Sequence, residues 1–181
     1  REAKRPIRPA KWLVPGGKDF ISNYKVLFVS GAQPKGATKV DNWVRLEQLS
    51  PPPAALGAFS VPGSQFVLRA GLGDSWLAAA LGMVGTRDDL VANLLQYSAG
   101  GSDGLHALRL FKDGGWRTVV VDDLIPCHGR SKAQPNGSCA YSSSTEPGAS
   151  PLSVVQKALA KLYGCYEHLN NGRVGAALED L

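Results

Sequence analysis

The pattern of apolar positions predicts one buried helix directly after a glycine-rich turn. Residues 71–74 are Gly-Leu-Gly-Asp, and an apolar run starts beyond Ser75 and continues to Leu81. The glycines permit a sharp backbone turn, and Asp74 can cap the first helical turn through its carboxylate. Apolar residues on nearly every side are typical of a helix that is buried all round. The pattern therefore predicts a central buried helix with Ser75 in its first turn.

The middle of the chain has the pattern of a helix followed by a hairpin. Asp88–Leu95 has helical spacing, with aspartates in its first turn, where the helix dipole favours negative charge. Leu105–Phe111 and Arg117–Val121 are strand-like runs, joined by the turn residues Lys112–Gly115. We expect these two runs to pair as an antiparallel hairpin.

Proline and glycine divide the remainder of the chain. Tyr24–Ser30 is apolar enough for a strand, and Pro51–Pro53 is typical of a stiff connector. Residues 128–150 are a polar loop, longer than a compact domain usually tolerates without a role. Pro151 can start a last helix, which Gly164 ends or interrupts. The predicted layout is a basic extended arm and connector over residues 1–57, then one folded lobe over 58–181.

Composition limits the class of protein. A chain of 181 residues with 44% hydrophobic content can bury one core. No apolar run is long enough to span a membrane, and the basic N-terminal residues are not followed by the apolar core of a signal peptide. We therefore expect a soluble, cytoplasmic protein without membrane partners. An odd number of cysteines, 3, gives no disulfide framework and suits a reducing compartment.

The net charge of +5 is concentrated in the N-terminal arm, which contains Arg1, Lys4, Arg5, Arg8 and Lys11 against Glu2. Such an arm can contact an acidic surface, for example the acidic tails of a cytoskeletal polymer or a nucleic-acid backbone. A solvated arm is the favoured interpretation. No nucleic-acid-binding module is visible, so nucleic acid is not an expected partner.

Three smaller groups of residues have a functional and a structural interpretation. Cys127, His128 and Cys139 are soft metal ligands, but they lack paired Cys-x-x-Cys spacing, and incidental loop cysteines are favoured. Asp122 and Asp123 are either paired catalytic acids or structural residues. The segment 142–145, three serines and a threonine, offers sites for phosphorylation, with a solvated loop as the default.

Three segments together resemble the calpain family of cysteine proteases: Gly71–Leu81, Gly114–Pro126 and Gln156–Leu169. They match calpain motifs in order and in spacing, including the helix that reads glutamate-lysine-alanine-tyrosine-alanine-lysine-leucine in calpains. The resemblance implies an α+β fold, namely the first lobe of a papain-like protease core with a buried central helix and a small β-hairpin. It also implies that Asp122 and Asp123 close a strand and make structural contacts.

The departures from the calpain pattern bear directly on chemistry. Ser75 stands where the family has its nucleophilic cysteine, and Arg69 stands where a glutamine stabilises the oxyanion. Phe66 replaces an aspartate used in calcium binding, and a phenyl ring cannot ligate calcium. We therefore expect no cofactor. The family's histidine and asparagine lie in a second lobe, and the chain stops at Leu181 before reaching them, as a fragment of a longer protein would.

These departures predict a catalytically inactive calpain-like domain that acts as a structural or protein-interaction module in a larger assembly. Large ciliary proteins carry degenerate calpain-like domains, which makes an axonemal setting the leading expectation. The alternative is an intracellular calpain-type cysteine endopeptidase with its nucleophile changed to Ser75; Arg69 and Phe66 argue against it. A serine hydrolase built on Ser75 is disfavoured, because no histidine lies near it in the sequence.

Overall fold

The architecture combines helices with antiparallel sheets, the predicted α+β class. The structure is a computed structural model that describes residues 37–49, 71–98, 104–131, 136–141 and 151–181, together with a two-strand pair near the N-terminus. Its elements are β1 (Leu13–Val14), β2 (Lys18–Asp19), β3 (Asn42–Arg45), α1 (Ser75–Val84), α2 (Asp88–Leu94), β4 (Leu95–Ser98), β5 (Leu105–Lys112), β6 (Gly115–Asp122), β7 (Leu124–His128), β8 (Ser138–Cys139), α3 (Pro151–Tyr163) and α4 (Val174–Asp180).

Helix α1 is the predicted central helix, but it is not buried on every side. Its alanines and leucines favour helix, and most of its apolar side chains lie in the core. Ser75, Ala79 and Met83 are exposed, and Met83 retains 55% of its accessible surface. Their spacing of four residues places them along one face of the helix. The expectation of a helix buried all round is therefore wrong for one stripe, which begins at Ser75.

Helix α3 has the boundaries that proline and glycine predicted, but it is not the last helix, because α4 follows it at Val174–Asp180. Pro151 is its first residue, where the missing N–H costs no hydrogen bond, and Gly164 follows its last residue with a φ of 105°. The helix is buried over residues 152–160, and this includes the polar side chains of Ser153, Gln156 and Lys157. Each of these polar groups therefore needs a partner inside the protein.

One sheet has the order β4-β5-β6 and contains the predicted hairpin. β5 and β6 pair in register up to Lys112 opposite Gly115. The turn residues Asp113 and Gly114 both have positive φ, 51° and 76°, as a two-residue type I′ turn requires. Leu95, placed by helical spacing at the end of the second helix, is instead the first residue of β4, which pairs antiparallel with β5.

The second three-stranded sheet has the order β3-β7-β8, and sequence reasoning found none of its strands. β3 lies within residues 1–57, which the sequence assigned to an arm and connector. Val40, Val44 and Leu46 are nevertheless buried in the main hydrophobic cluster. β8 lies in the segment 128–150 predicted as a loop, and it pairs with the end of β7.

Within the described part of the chain, one hydrophobic cluster joins the two three-stranded sheets to the helices. It includes Val44 of β3, Leu77 of α1, Leu108 of β5, Ile125 of β7 and Val155 of α3. The predicted strand at 24–30 and the connector at 51–53 lie outside the described residues. Within the described ranges, no helix has the length and apolar character needed to cross a bilayer.

Candidate functional site

Ser75 is the first residue of α1, and its side chain is exposed. Asp74 precedes it as the N-cap residue, and the Asp74 backbone oxygen accepts hydrogen bonds from the N–H groups of Leu77 (3.0 Å) and Ala78 (3.1 Å). The Ser75 hydroxyl therefore lies at the positive end of a helix dipole. This is the position that the sequence predicted for it.

The carboxylate of Asp74 does not cap α1, contrary to the prediction. It makes no capping hydrogen bond to the helix and is fully buried. Its oxygens instead accept hydrogen bonds from the Leu72 N–H (3.3 Å) and from the side-chain amide of Gln156. A buried carboxylate is costly without strong donors, so it turns toward the interior, where Gln156 of α3 supplies one. The result is a direct link between α3 and the start of α1.

The turn before Asp74 is held from three directions. The Gly71 oxygen accepts a hydrogen bond from the Thr38 N–H (2.7 Å), and a Cβ at Gly71 would lie 2.1 Å from the Ala140 oxygen. Gly73 has a φ of 77°, and a Cβ there would lie 2.2 Å from Asn170 Oδ1. Gly71 is thus required by close packing against a backbone oxygen, and Gly73 is favoured by its left-handed backbone.

Trp76 anchors the first turn of α1 from the other side. Its indole Nε1–H donates to the Leu169 oxygen at 2.8 Å, and the side chain is 7% exposed. Gly172 packs on the same ring, since a Cβ at Gly172 would lie 2.2 Å from Trp76 Cε2. Ser75 is therefore exposed at the surface, while the turn before it and Trp76 after it are packed and hydrogen-bonded.

Asp122 and Asp123 make structural contacts, as the resemblance implied. Lys157 Nζ forms a buried ion pair with Asp122 and also donates to the Leu124 oxygen at 2.6 Å. The Leu124 N–H donates to Asp122 Oδ1 at 2.9 Å. Asp123 pairs with Arg45 of β3. The two carboxylates are engaged with separate cations, an arrangement that fixes the corner between β6 and β7.

None of the histidines forms a hydrogen bond with the Ser75 hydroxyl within the described part of the chain. His106 is buried in β5, and this burial lowers its pKa to about 4, although Asp123 partly opposes the shift. His168 contacts the Tyr163 oxygen through Nδ1 at 2.6 Å, and His128 lies at the end of β7. Within the described residues, no histidine is therefore hydrogen-bonded to Ser75 as a general base would be.

The structure brings Cys127 and Cys139 together and places them opposite each other in β7 and β8. No group of three or more His, Cys, Asp or Glu side chains with the geometry for a metal ion occurs among the residues described. Arg69, Phe66 and the segment 142–145 lie outside the described residues, as does most of the basic arm.

Sequence reasoning missed the role of Gln156 as the partner of Asp74. The available signal was polar: Ser153, Gln156 and Lys157 interrupt an otherwise apolar stretch of a predicted helix. Polar residues at core positions indicate that each side chain has a buried hydrogen-bond partner. The identity of those partners depends on contacts between residues 82 positions apart for Gln156 and 35 for Lys157, which no local pattern contains.

Comparisons with known proteins agree with this geometry. The calpain family of cysteine proteases matches residues 17–181. The chain is similar to the calpain-type cysteine protease DEK1 of Arabidopsis thaliana (29% identity over 91% of this chain and 8% of that protein). It is also similar to calpain clp-1 of Caenorhabditis elegans (29% identity over 90% of this chain and 20% of that protein). A further similar protein is Calpain-A of Drosophila melanogaster (31% identity over 76% of this chain and 16% of that protein). The chain thus spans no more than about a fifth of these relatives.

Proposed function

We propose that this chain, which belongs to the calpain family of cysteine proteases, is a catalytically inactive member that acts as a structural or protein-interaction module. The observation that carries the proposal is a complete support for the nucleophile position with serine in that position. Gly73, Asp74 and Trp76 are packed and hydrogen-bonded around the start of α1. The exposed residue between them is Ser75.

The physical argument rests on the difference between a hydroxyl and a thiol. A helix N-terminus lowers the pKa of a cysteine and stabilises the thiolate, which is the reactive form. A serine hydroxyl is too weak an acid to gain from the same dipole and needs an adjacent general base. Because no histidine of the described residues is hydrogen-bonded to Ser75, the helix end alone does not make it a nucleophile.

Arg69 and Phe66 add independent support from the sequence. With arginine in place of the oxyanion glutamine, the neutral amide donor, whose loss typically costs about 10²–10³ in rate, is replaced by a longer, charged side chain. With phenylalanine in place of the calcium-binding aspartate, one oxygen ligand is lost, and we propose that this domain uses no cofactor. A laboratory change of cysteine to serine would explain Ser75 but neither of these.

Exposed apolar side chains among the described residues are the candidate contacts for an interaction role. The exposed stripe of α1 ends in Met83, and Trp116 on β6 is 55% exposed. Exposed apolar side chains of this size are typical of contact surfaces when they cluster, and singly they are unremarkable. We propose protein partners in a large intracellular assembly, with the basic arm on an acidic cytoskeletal surface. A ciliary or axonemal setting is the leading candidate, and neither nucleic acid nor a membrane is a proposed partner.

The alternative function is a calpain-type cysteine endopeptidase in which Ser75 replaces the natural cysteine. The observation that favours it is the same support, because the described residues around Gly73 and Trp76 are closely packed and hydrogen-bonded. In that case the base and its orienting group would come from outside this chain. The two proposals differ in one side-chain atom of residue 75, oxygen or sulfur, so a mass measurement separates them.

The decisive experiment is the mass of one peptide from the native source. Trypsin cleaves after Arg69 and Arg87 and releases residues 70–87, which contain Ser75 and no cysteine. We expect the mass that corresponds to serine. A mass heavier by the difference between sulfur and oxygen, together with alkylation by iodoacetamide, would refute the pseudopeptidase and establish the protease.

A second experiment tests the interaction role. The protein in extracts of its native source is sized by sucrose gradient and tested for co-sedimentation with purified axonemes. We expect a complex that Met83→Asp, on the exposed stripe of α1, releases. Leu178→Asp on α4 is the matched control, since Leu178 is also exposed (40%) but lies on another helix. A monomer in the gradient, or equal release by both variants, would contradict the proposal.

A further inference from the structure

Two cysteines face each other where β7 and β8 pair. Cys127 is directly opposite Cys139 in the antiparallel register. The Ala140 N–H donates to the Pro126 oxygen at 2.8 Å, so the neighbouring pair is the hydrogen-bonded one. Cys127 and Cys139 therefore form a non-hydrogen-bonded pair, in which Cα atoms are about 4.5 Å apart and side chains lie closest. Disulfides span Cα distances of roughly 4.4–6.8 Å.

We propose that Cys127 and Cys139 are a modification site, a thiol pair that a hydroperoxide oxidises to a reversible cross-strand disulfide. Both cysteines are reduced in this structure. The pair needs no backbone rearrangement to bridge, because opposite positions of this kind already satisfy the distance requirement. The proposal does not rest on the proposed function, since it concerns other side chains and another chemistry.

The surroundings divide the two thiols into a reactive and a resolving partner. Cys139 is partly accessible, and the Ser153 hydroxyl lies 3.9 Å from its sulfur as a donor. The hydrogen bond from Cys127, with a smaller one from Ser153, lowers the pKa of Cys139 although burial opposes this. The same contact and burial raise the pKa of Cys127, which has no accessible surface. Because Cys139 is partly accessible and Cys127 is buried, Cys139 is the thiol that an oxidant reaches first, and Cys127 is the resolving partner.

The reaction balances with hydrogen peroxide as the oxidant. The Cys139 thiolate attacks one peroxide oxygen, the O–O bond breaks, and hydroxide leaves, giving a sulfenic acid at Cys139. The Cys127 sulfur then attacks the Cys139 sulfur, forming the S–S bond and breaking the S–O bond. The departing hydroxide and the proton of the Cys127 thiol form water. In sum, two thiols and one peroxide yield one disulfide and two waters.

The pair lies close to elements that support Ser75. β8 runs into Ala140, whose oxygen packs against Gly71 in the turn before α1. Ser153 is one helical turn before Gln156, the partner of Asp74. A bridge between β7 and β8 fixes the strand on which that turn rests. The oxidation state of the pair thereby acts on the scaffold of the site without touching Ser75.

Peptide mapping tests the proposal, because trypsin separates the three cysteines. Cys127 lies in peptide 118–130, Cys139 in 133–157 and Cys165 in 162–173. The 181-residue chain is treated with hydrogen peroxide, blocked with iodoacetamide under denaturing conditions and digested without reductant. We expect 118–130 linked to 133–157, loss of two free thiols per chain, and their recovery with dithiothreitol. Cys165 should stay alkylated throughout.

Variants make the outcome decisive. Cys139→Ser should abolish the linked peptide and leave Cys127 reduced after the same peroxide treatment, whereas Cys127→Ser should leave Cys139 as a trapped sulfenic acid, detectable with dimedone. Cys165→Ser is the matched control and should form the bridge at the wild-type rate. Alkylation of both Cys127 and Cys139 after peroxide, a link involving Cys165, or a linked peptide that appears only between two chains would each overturn the proposal.

Discussion

Two buried carboxylates are held by neighbouring residues of α3 in different ways. Asp122, at the corner of β6 and β7, receives the ammonium group of Lys157, and both side chains are almost without accessible surface. Asp74, in front of Ser75, receives the uncharged amide of Gln156 and a backbone N–H. A charged group thus partners the carboxylate of Asp122, whereas the two donors described for Asp74 are neutral.

The difference between these two partners indicates which of the two sites tolerates substitution better. An uncompensated buried charge costs several times more than a lost neutral hydrogen bond. The corner at Asp122 should therefore be the more sensitive of the two sites, although Ser75 is the residue at the chemically interesting position. The family resemblance places glutamate at position 156, so the neutral partner of Asp74 is also a departure of this chain.

The largest effect should come from breaking the charged corner. Lys157→Met keeps the length of the side chain but leaves Asp122 buried without its cation, and we expect a loss of about 3–5 kcal/mol of unfolding free energy. Urea denaturation followed by circular dichroism measures it. The double variant Asp122→Asn with Lys157→Met should recover most of the loss. If Lys157→Met alone is as stable as wild type, the buried pair is not what holds this corner.

The next largest effect is a loss of stability in acid through His106, which lies beside the charged corner. Its pKa is lowered to about 4 by burial, below the ordinary value of 6.5. Because the depressed pKa belongs to the folded state, its contribution is complete above pH 6.5 and is lost as the pH falls toward 4. The expected loss is up to about 3 kcal/mol.

Denaturation as a function of pH, compared with His106→Gln, isolates this contribution, since the variant should have a flatter profile between pH 6.5 and 4. Lys157 lowers the pKa of His106. Lys157→Met should therefore raise the His106 pKa in an NMR titration, whereas changes at Gln156 should not. An unchanged His106 pKa in Lys157→Met would show that the two groups are not coupled.

A smaller effect is expected when a second carboxylate is placed at the neutral site. Gln156→Glu puts an acid against the buried oxygens of Asp74, and the repulsion and lost donor should cost about 2 kcal/mol at neutral pH. Like charges raise the pKa of one carboxyl in the folded state. The deficit should therefore be present at pH 7 and shrink as the pH falls, in contrast to the wild-type profile.

Gln156→Leu is the control for that prediction, because it removes the donor without adding a charge. The unfolding free energy that Gln156→Leu loses should not be recovered at low pH as it is in Gln156→Glu. If Gln156→Glu and Gln156→Leu show the same dependence on pH, Asp74 does not face position 156 in solution.

The smallest effects concern the backbone at the neutral site. Gly73→Ala forces a side chain into a φ of 77° against Asn170, whose amide can move aside, so we expect a loss of about 1–2 kcal/mol. Gly82→Ala in the middle of α1 meets nothing within 4 Å and should instead stabilise the chain by about 0.5–1 kcal/mol. Thermal unfolding of the two single variants gives the contrast; equal signs would contradict it.

Local patterns predicted the elements whose information is local. The Asp113–Gly114 turn, the start of α3 at Pro151 and its end at Gly164 follow from residues that control their own φ. The helix at Ser75 was predicted from its apolar run. Its exposed stripe was not, because the direction that a helix face takes depends on what packs against it. β3 and β8 were missed since each is short and acquires its order by pairing with β7.

The candidate site also has features that the sequence determined and features that depend on the tertiary structure. The sequence by itself determined that residue 75 is serine and that the chain resembles calpains, because these depend only on which residues follow one another. The tertiary structure alone decided that the Asp74 carboxylate turns away from α1 to Gln156, that Asp122 and Asp123 take separate cations, and that Cys127 faces Cys139. These are contacts between distant segments, and burial selects each partner because a polar group without one is costly inside a protein.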